Sequence, residues 1–213
     1  SPALEGAGIP QARRLREVLL TTTIAIEATL GPVDLKRGYW YELDESLPPR
    51  VPILALALGQ GATELASWSG HPERVAGFGF AGPFADAPTV EIARGLRTGD
   101  DALRGAVAFL RGLGKEVAVV GDPPGQVLGR ILACLINEAA FALDEGIAAP
   151  ADIDTALRLG LNYPRGPLEW ADLIGLDRVV TTLEGLHAYY GEDRYRVAPL
   201  LRRALLAGRS LRE

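Results

Sequence analysis

Glycines spaced as Gly77-Phe78-Gly79-Phe80-Ala81-Gly82 complete a literal G-x-G-x-x-G. That word can turn a strand into a helix and seat a pyrophosphate on the helix's first N–H groups, so the chemistry would be dinucleotide binding. The residues that follow argue against it. The helix would begin at Pro83 and meet Pro88 in its second turn, where proline removes a hydrogen bond and clashes at a cost of about 3 kcal/mol. Without a helix there is no dipole for phosphates, and the glycines must serve another purpose. Two histidines offer little more. His71 precedes Pro72 and reads as an exposed turn residue, while His187, beside Tyr189 and Tyr190 on a predicted helix, reads as a surface or interface residue. Neither has a cysteine or carboxylate at metal-ligand spacing, so no metal site is expected. Cys134 lies among apolar residues of a predicted helix; it reads as a buried small hydrophobe and, being single, forms no internal disulfide.

The elements that would position these groups fall into two registers. Strand-like runs at Thr22 to Thr29, Val51 to Leu58, Arg74 to Phe80, Thr89 to Ala93 and Glu116 to Gly121 alternate with helical spacing at Asp34 to Ser46, Thr63 to Trp68 and Asp100 to Leu113. Such alternation predicts a mainly parallel α/β sheet. From Pro124 onward the strands stop. Gln126 to Glu145 is a long helix, apolar around much of its circumference and so in need of partners on several sides; Ala151 to Leu159, Asp177 to Tyr189 and Ala198 to Ala207 follow. The turn-rich stretch Gly121-Asp122-Pro123-Pro124-Gly125 is the expected boundary, giving an α/β lobe over residues 1–121 and an all-helical lobe over 122–213.

Composition narrows the partners. The 213 residues are 48% hydrophobic, enough for a sizeable core, and carry a net charge of −5 with no basic run, which argues against a nucleic-acid surface. No apolar stretch approaches the roughly 20 residues that span a bilayer, and no signal-peptide pattern opens the chain. A cytoplasmic protein is expected.

The helical half resembles the C-terminal domain of the 3-hydroxyacyl-CoA dehydrogenase family. The resemblance runs in order through Asp122-Pro123-Pro124-Gly125, Arg130-Ile131-Leu132, Asn137-Glu138-Ala139, Glu145-Gly146 and Asp152-Ile153-Asp154. It continues from Leu159 to Leu168, the segment LGLNYPRGPL, and through Asp172-Leu173-Ile174-Gly175-Leu176-Asp177. Asn162-Tyr163-Pro164 and the ending Gly191-Glu192-Asp193-Arg194-Tyr195-Arg196 look most like the second, duplicated module of the dehydrogenase of bacterial phenylacetate degradation. In the α/β half, Ile26-Glu27-Ala28, Leu35-Lys36-Arg37, Glu42-Leu43-Asp44, Leu47-Pro48-Pro49, Thr63-Glu64-Leu65-Ala66, Pro72 to Gly77 and Val90-Glu91-Ile92 are similar to words of the family's NAD domain.

What the resemblance implies is a loss of chemistry. Oxidising a 3-hydroxyacyl thioester needs a base for the hydroxyl proton and a cofactor for the hydride, and the family supplies the base as a histidine oriented by a glutamate. The histidine falls at Gly79, while the carboxylate partner survives as Glu91, a vestigial catalytic residue. The family's serine falls at Gly59 or Gln60, and its substrate-polarising asparagine at Gly129, where a glycine also weakens the helix by about 1 kcal/mol. On the cofactor side Lys36 occupies a family contact, here vestigial, whereas the nearby acidic position is Gly31. The family places about 80 residues before the Ile-Glu-Ala word, holding the first βαβ unit and its glycine fingerprint; here there are fewer than 30, with Glu5 to Ala12 a compressed relic of that turn. NAD is the family's cofactor, and none is expected for this chain alone.

The expectation is therefore a truncated Rossmann-like lobe joined to an intact helical lobe, acting as a structural or regulatory module that forms a homodimer or pairs with an active dehydrogenase through the helical lobe. Two alternatives stay open: a working NAD-dependent dehydrogenase completed by a partner or upstream segment, and a non-catalytic acyl-CoA binding protein. Trp170 and Tyr163, flanking the Gly166-Pro167 turn, are expected in the helical core or at a dimer contact.

Overall fold

The computed structural model describes residues 22–213. The expectation for Glu5 to Ala12 lies outside them. Within them the first part of the chain alternates as expected: β1 (Ala25–Glu27), α1 (Val33–Ser46), β2 (Ile53–Leu56), α2 (Ala62–Ser67), β3 (Val75–Gly79), β4 (Thr89–Ala93), α3 (Asp100–Gly112) and β5 (Glu116–Val120). The five strands form one sheet in the order β1-β2-β3-β4-β5. All neighbours are parallel except β3 and β4. That antiparallel step follows from the short, proline-bearing link between them, which cannot hold the crossover helix that a parallel pair requires.

Alternating strand side chains send one apolar set to each face of the sheet. Trp40, Ile53, Ala55, Leu65 and Val75 pack beneath α1 and α2. Leu54, Leu56, Phe78, Val90, Ile92, Ala106 and Leu110 pack beneath α3. In α1 the buried positions are Lys36 and Trp40, one turn apart on a single stripe.

The remainder is helical: α4 (Leu128–Asp144), α5 (Pro150–Leu161), α6 (Pro167–Ile174), α7 (Leu176–Tyr190) and α8 (Pro199–Ala207). Ile136, Ala140, Leu168, Ala171, Leu183 and Leu201 are at the centre of their common core. The α6 helix is the element that the sequence reading passed over as a turn. Gly166 precedes it with extended backbone, Pro167 occupies its first turn, and Glu169 Oε2 accepts from Gly166 N at 2.8 Å; proline at the first helical position is a start signal in itself. Trp170 is half-buried against the helical core, but Tyr163 is 37% exposed, beyond the end of α5. Cys134 is half-buried rather than buried, since α4 leaves Val127 and Ile131 more than half exposed along its length. Desolvation still raises its thiol pKa.

The linker is pinned at both ends. Gly125 N donates to Ala57 O at 3.0 Å, and Asp122 Oδ1 accepts from Thr63 N at 2.7 Å at the start of α2. The stretch read as a boundary thus ties the helices to the carboxyl end of β2 and to the start of α2.

Candidate active site

Carboxyl ends of parallel strands are where open α/β sheets carry their sites, and here β2 and β3 end beneath the first turn of α4. Gly79 closes β3 and pairs directly with Glu91 of β4. Directly opposed residues of an antiparallel pair share a face, with Cβ atoms about 5 Å apart. A side chain at position 79 would therefore stand beside the Glu91 carboxylate, the placement that a base and its orienting acid require.

The space is taken by another residue. A Cβ on Gly79 would overlap Gln126 Oε1 and lie 3.0 Å from its Cδ. Gln126 is buried, in the linker before α4, with φ of 55°. Nothing in the sequence reading singled it out, because no spacing rule links the linker to the end of β3.

Glu91 is 7% exposed and faces the opening of α4. It accepts from Leu128 N at 3.0 and 3.2 Å and from Val127 N at 3.3 Å. A carboxylate at a helix N-terminus satisfies orphan N–H groups and meets the positive end of the dipole. Burial pushes its pKa above the usual carboxylate range, and the hydrogen bonds from Leu128 and Val127 oppose that rise.

The other positions differ in kind. At Gly59 a Cβ would meet Thr181 Cγ2 at 3.1 Å, and Gly185 of α7 comes so near that a Cβ there would overlap Gly59 O. The α7 backbone therefore sits on the loop that follows β2. Gln60 lies in a cleft of about 750 Å³ between the lobes, lined also by Gly31, Glu64, Pro124, Glu184 and Tyr189. Its lining includes two carboxylates and, among the described residues, no lysine or arginine. Gly129 faces open space, so its side-chain position is vacant but unobstructed.

Lys36 is 4% exposed and directed inward. Its Nζ makes an ion pair with Glu27 Oε2 at 2.6 Å and donates to Leu56 O at 2.9 Å and Thr29 O at 3.5 Å. An ammonium has three donors, and all three are engaged within the protein. Burial lowers its pKa, and Glu27 opposes that shift. His187 is exposed, whereas His71 is half-buried, and both make their contacts elsewhere: His71 lies 3.6 Å from Glu73, and His187 Nδ1 is 3.1 Å from Glu192 O. No group of acidic, histidine or cysteine residues suited to a metal ion occurs among the described residues.

The chain matches the family model of the 3-hydroxyacyl-CoA dehydrogenase NAD binding domain over residues 7–123, more than half its length. The chain belongs to the 3-hydroxyacyl-CoA dehydrogenase family. The model of the family's C-terminal domain matches residues 125–213. Among curated relatives it is 37% identical over 185 residues to a probable 3-hydroxybutyryl-CoA dehydrogenase of Bacillus subtilis (strain 168), covering 87% of this chain and 64% of that one. It is 48% identical over 118 residues to the 3-hydroxyadipyl-CoA dehydrogenase of Escherichia coli (strain K12), covering 55% of this chain and 25% of the relative. The crystal structure of the (S)-3-hydroxybutyryl-CoA dehydrogenase PaaH1 from Ralstonia eutropha superposes with a TM-score of 0.79 at 32% identity, covering 97% of this chain and 77% of that one. The chain spans 63–66% of the length of the 3-hydroxybutyryl-CoA dehydrogenases of Bacillus, Bradyrhizobium and Deinococcus that it matches.

A nicotinamide cofactor is poorly matched to these residues. Lys36 has no donor to spare, the Gln126 amide occupies the place beside Glu91, and the loop that follows β2 is covered by α7.

Proposed function

We propose that this member of the family has lost oxidation chemistry and serves as a structural or regulatory module in acyl-CoA catabolism, either as the second half of a longer dehydrogenase or as a chain that pairs with an active one in the cytoplasm. One observation carries the reading: Glu91 survives, but the residue opposite it is Gly79, and the intervening space holds Gln126. Glycine can neither take nor return a proton, and a glutamine amide has no useful basicity at neutral pH. The family's helical lobe would supply the self-association surface. Placement in phenylacetate degradation rests on Asn162-Tyr163-Pro164 and the Gly191 to Arg196 ending, both just beyond helices closed by left-handed residues Asn162 and Gly191.

A second reading, a working dehydrogenase completed by a partner or an upstream segment, draws on the relatives, which are named as dehydrogenases. A third, acyl-CoA binding without chemistry, would use the cleft beside Gln60, where Glu64 and Glu184 disfavour a phosphate-bearing ligand.

Thermal-shift titration with NADH and with acetoacetyl-CoA separately, alongside light scattering of the purified chain, separates the three, since a ligand that binds only the native state raises its melting temperature. The structural module shows no shift with either ligand and a stable dimer. A shift with the thioester alone supports the acyl-CoA binder, and shifts with both ligands overturn the proposal.

A further inference from the structure

Gln126 is held under unusual constraint for a linker residue. It is 3% exposed, its backbone is left-handed with φ of 55°, and its Nε2 is buried with no hydrogen-bond partner among the described residues. A left-handed backbone disfavours a residue with a Cβ, and an unsatisfied buried donor disfavours the conformation further. Packing must hold the side chain where it is.

Its neighbours show what that packing joins. On one side Gly125 N donates to Ala57 O at the end of β2. On the other, Val127 and Leu128 donate to Glu91 on β4. Between these two attachments the Gln126 side chain reaches the end of β3, within 3.0 Å of where a Gly79 Cβ would stand even at its Cδ atom. The loop after β3 adds a further link, because Arg178 of α7 donates to Gly82 O at 3.2 Å and lies 5.0 Å from the centre of the Phe80 ring.

We infer that Gln126 is a latch. Its side chain fills the space that Gly79 leaves opposite Glu91, fastens the first turn of α4 to the sheet and keeps the two lobes closed over the position where the family carries out its chemistry. Gly79 and Gln126 are then an energetically coupled pair. The latch works by bulk, since the Nε2 donor has no partner among the described residues. The inference relies on the site assignment made under the proposed function but not on whether the chain turns over.

A double-mutant cycle tests it, read by melting temperature and by amide exchange at Val127 and Leu128. Gly79→Ala must expel the amide from its buried place, and it lowers the melting temperature by about 3 °C or more in the otherwise unchanged protein. In a Gln126→Ala background the same change costs less than half as much. Gln126→Ala alone speeds exchange at Val127 and Leu128 by about tenfold or more. Gln126→Met keeps the bulk without the orphaned donor; it holds the melting temperature at or above that of the parent and preserves the full Gly79→Ala penalty. Should Gln126→Ala fail to fold, the methionine background still decides, because absence of a Gly79→Ala penalty both there and in the parent overturns the latch. Additive losses with unchanged exchange overturn it as well. Turnover with the coupling intact would sink the proposed function and leave the latch standing.

Discussion

Gly79 and Glu91 face each other across the antiparallel β3–β4 pair, on the same side of the sheet and beneath the opening of α4. An imidazole at position 79 would have its orienting carboxylate beside it. With glycine there, the carboxylate meets the opening of α4 instead. Glu91 now accepts the N–H groups of Val127 and Leu128, and Gln126 fills the gap. The Gly79–Glu91 pair lies at a joint between the sheet and α4.

Replacing Glu91 by alanine should therefore damage the fold before it damages any reaction. The change strands two N–H groups at the start of α4 and opens a small cavity, so a loss of about 1–3 kcal/mol is expected in urea unfolding. A loss below about 0.3 kcal/mol would mean that the helix does not depend on this carboxylate.

The pH dependence has a definite sign. Burial raises the folded-state pKa of Glu91 above its unfolded value near 4.5, so the native state holds the proton more tightly than the unfolded chain does. The associated stability is present below the unfolded value and is lost as pH rises through the folded one. Relative to Glu91→Gln, the unsubstituted protein should gain stability on going from about pH 7.5 to about pH 5. A gap that moves the opposite way would show that the hydrogen bonds from Leu128 and Val127 outweigh desolvation.

Gly129 should be replaceable. A Cβ there meets nothing within 4 Å among the described residues, and the residue lies in the first turn of α4. Gly129→Ala is expected to stabilise by up to about 1 kcal/mol, a rise of roughly 2–4 °C in melting temperature. Destabilisation would mean that the first turn needs glycine for a reason other than space.

Lys36 should prove structural. Among the described residues, Lys36→Met leaves the buried Glu27 carboxylate with only Thr29 N as a partner and takes the ammonium from the Leu56 carbonyl, at a cost of about 3–5 kcal/mol. Calorimetry with and without NADH should give the same loss. A loss seen only with the cofactor present would return Lys36 to a binding role.

The fold was legible in the sequence where periodicity alone decides. Each strand-like run from Val51 to Gly121 contains a strand of the sheet, because apolar β-compatible stretches between turn residues have few other uses. The run Thr22 to Thr29 kept only Ala25–Glu27 as strand. Less legible was α6, whose start signal, Gly166 followed by Pro167, suits a turn equally well in sequence. Cys134 was expected to be buried and is not, since the outward stripe of α4 continues through Val127 and Ile131. The candidate site divides in the same way. The resemblance located Gly79, Glu91, Gly59 and Gly129, and the β3–β4 register places the first two together. Gln126 was out of reach because its contact with Gly79 joins segments separated by β4, α3 and β5. Only the folded chain brings them into contact.

The central claim meets its most direct test in NADH-dependent reduction of acetoacetyl-CoA by the purified chain, with Glu91→Ala assayed alongside. The account predicts no turnover above the protein-free control for either protein. Measurable turnover that disappears in Glu91→Ala, with that variant still folded by circular dichroism, would contradict it.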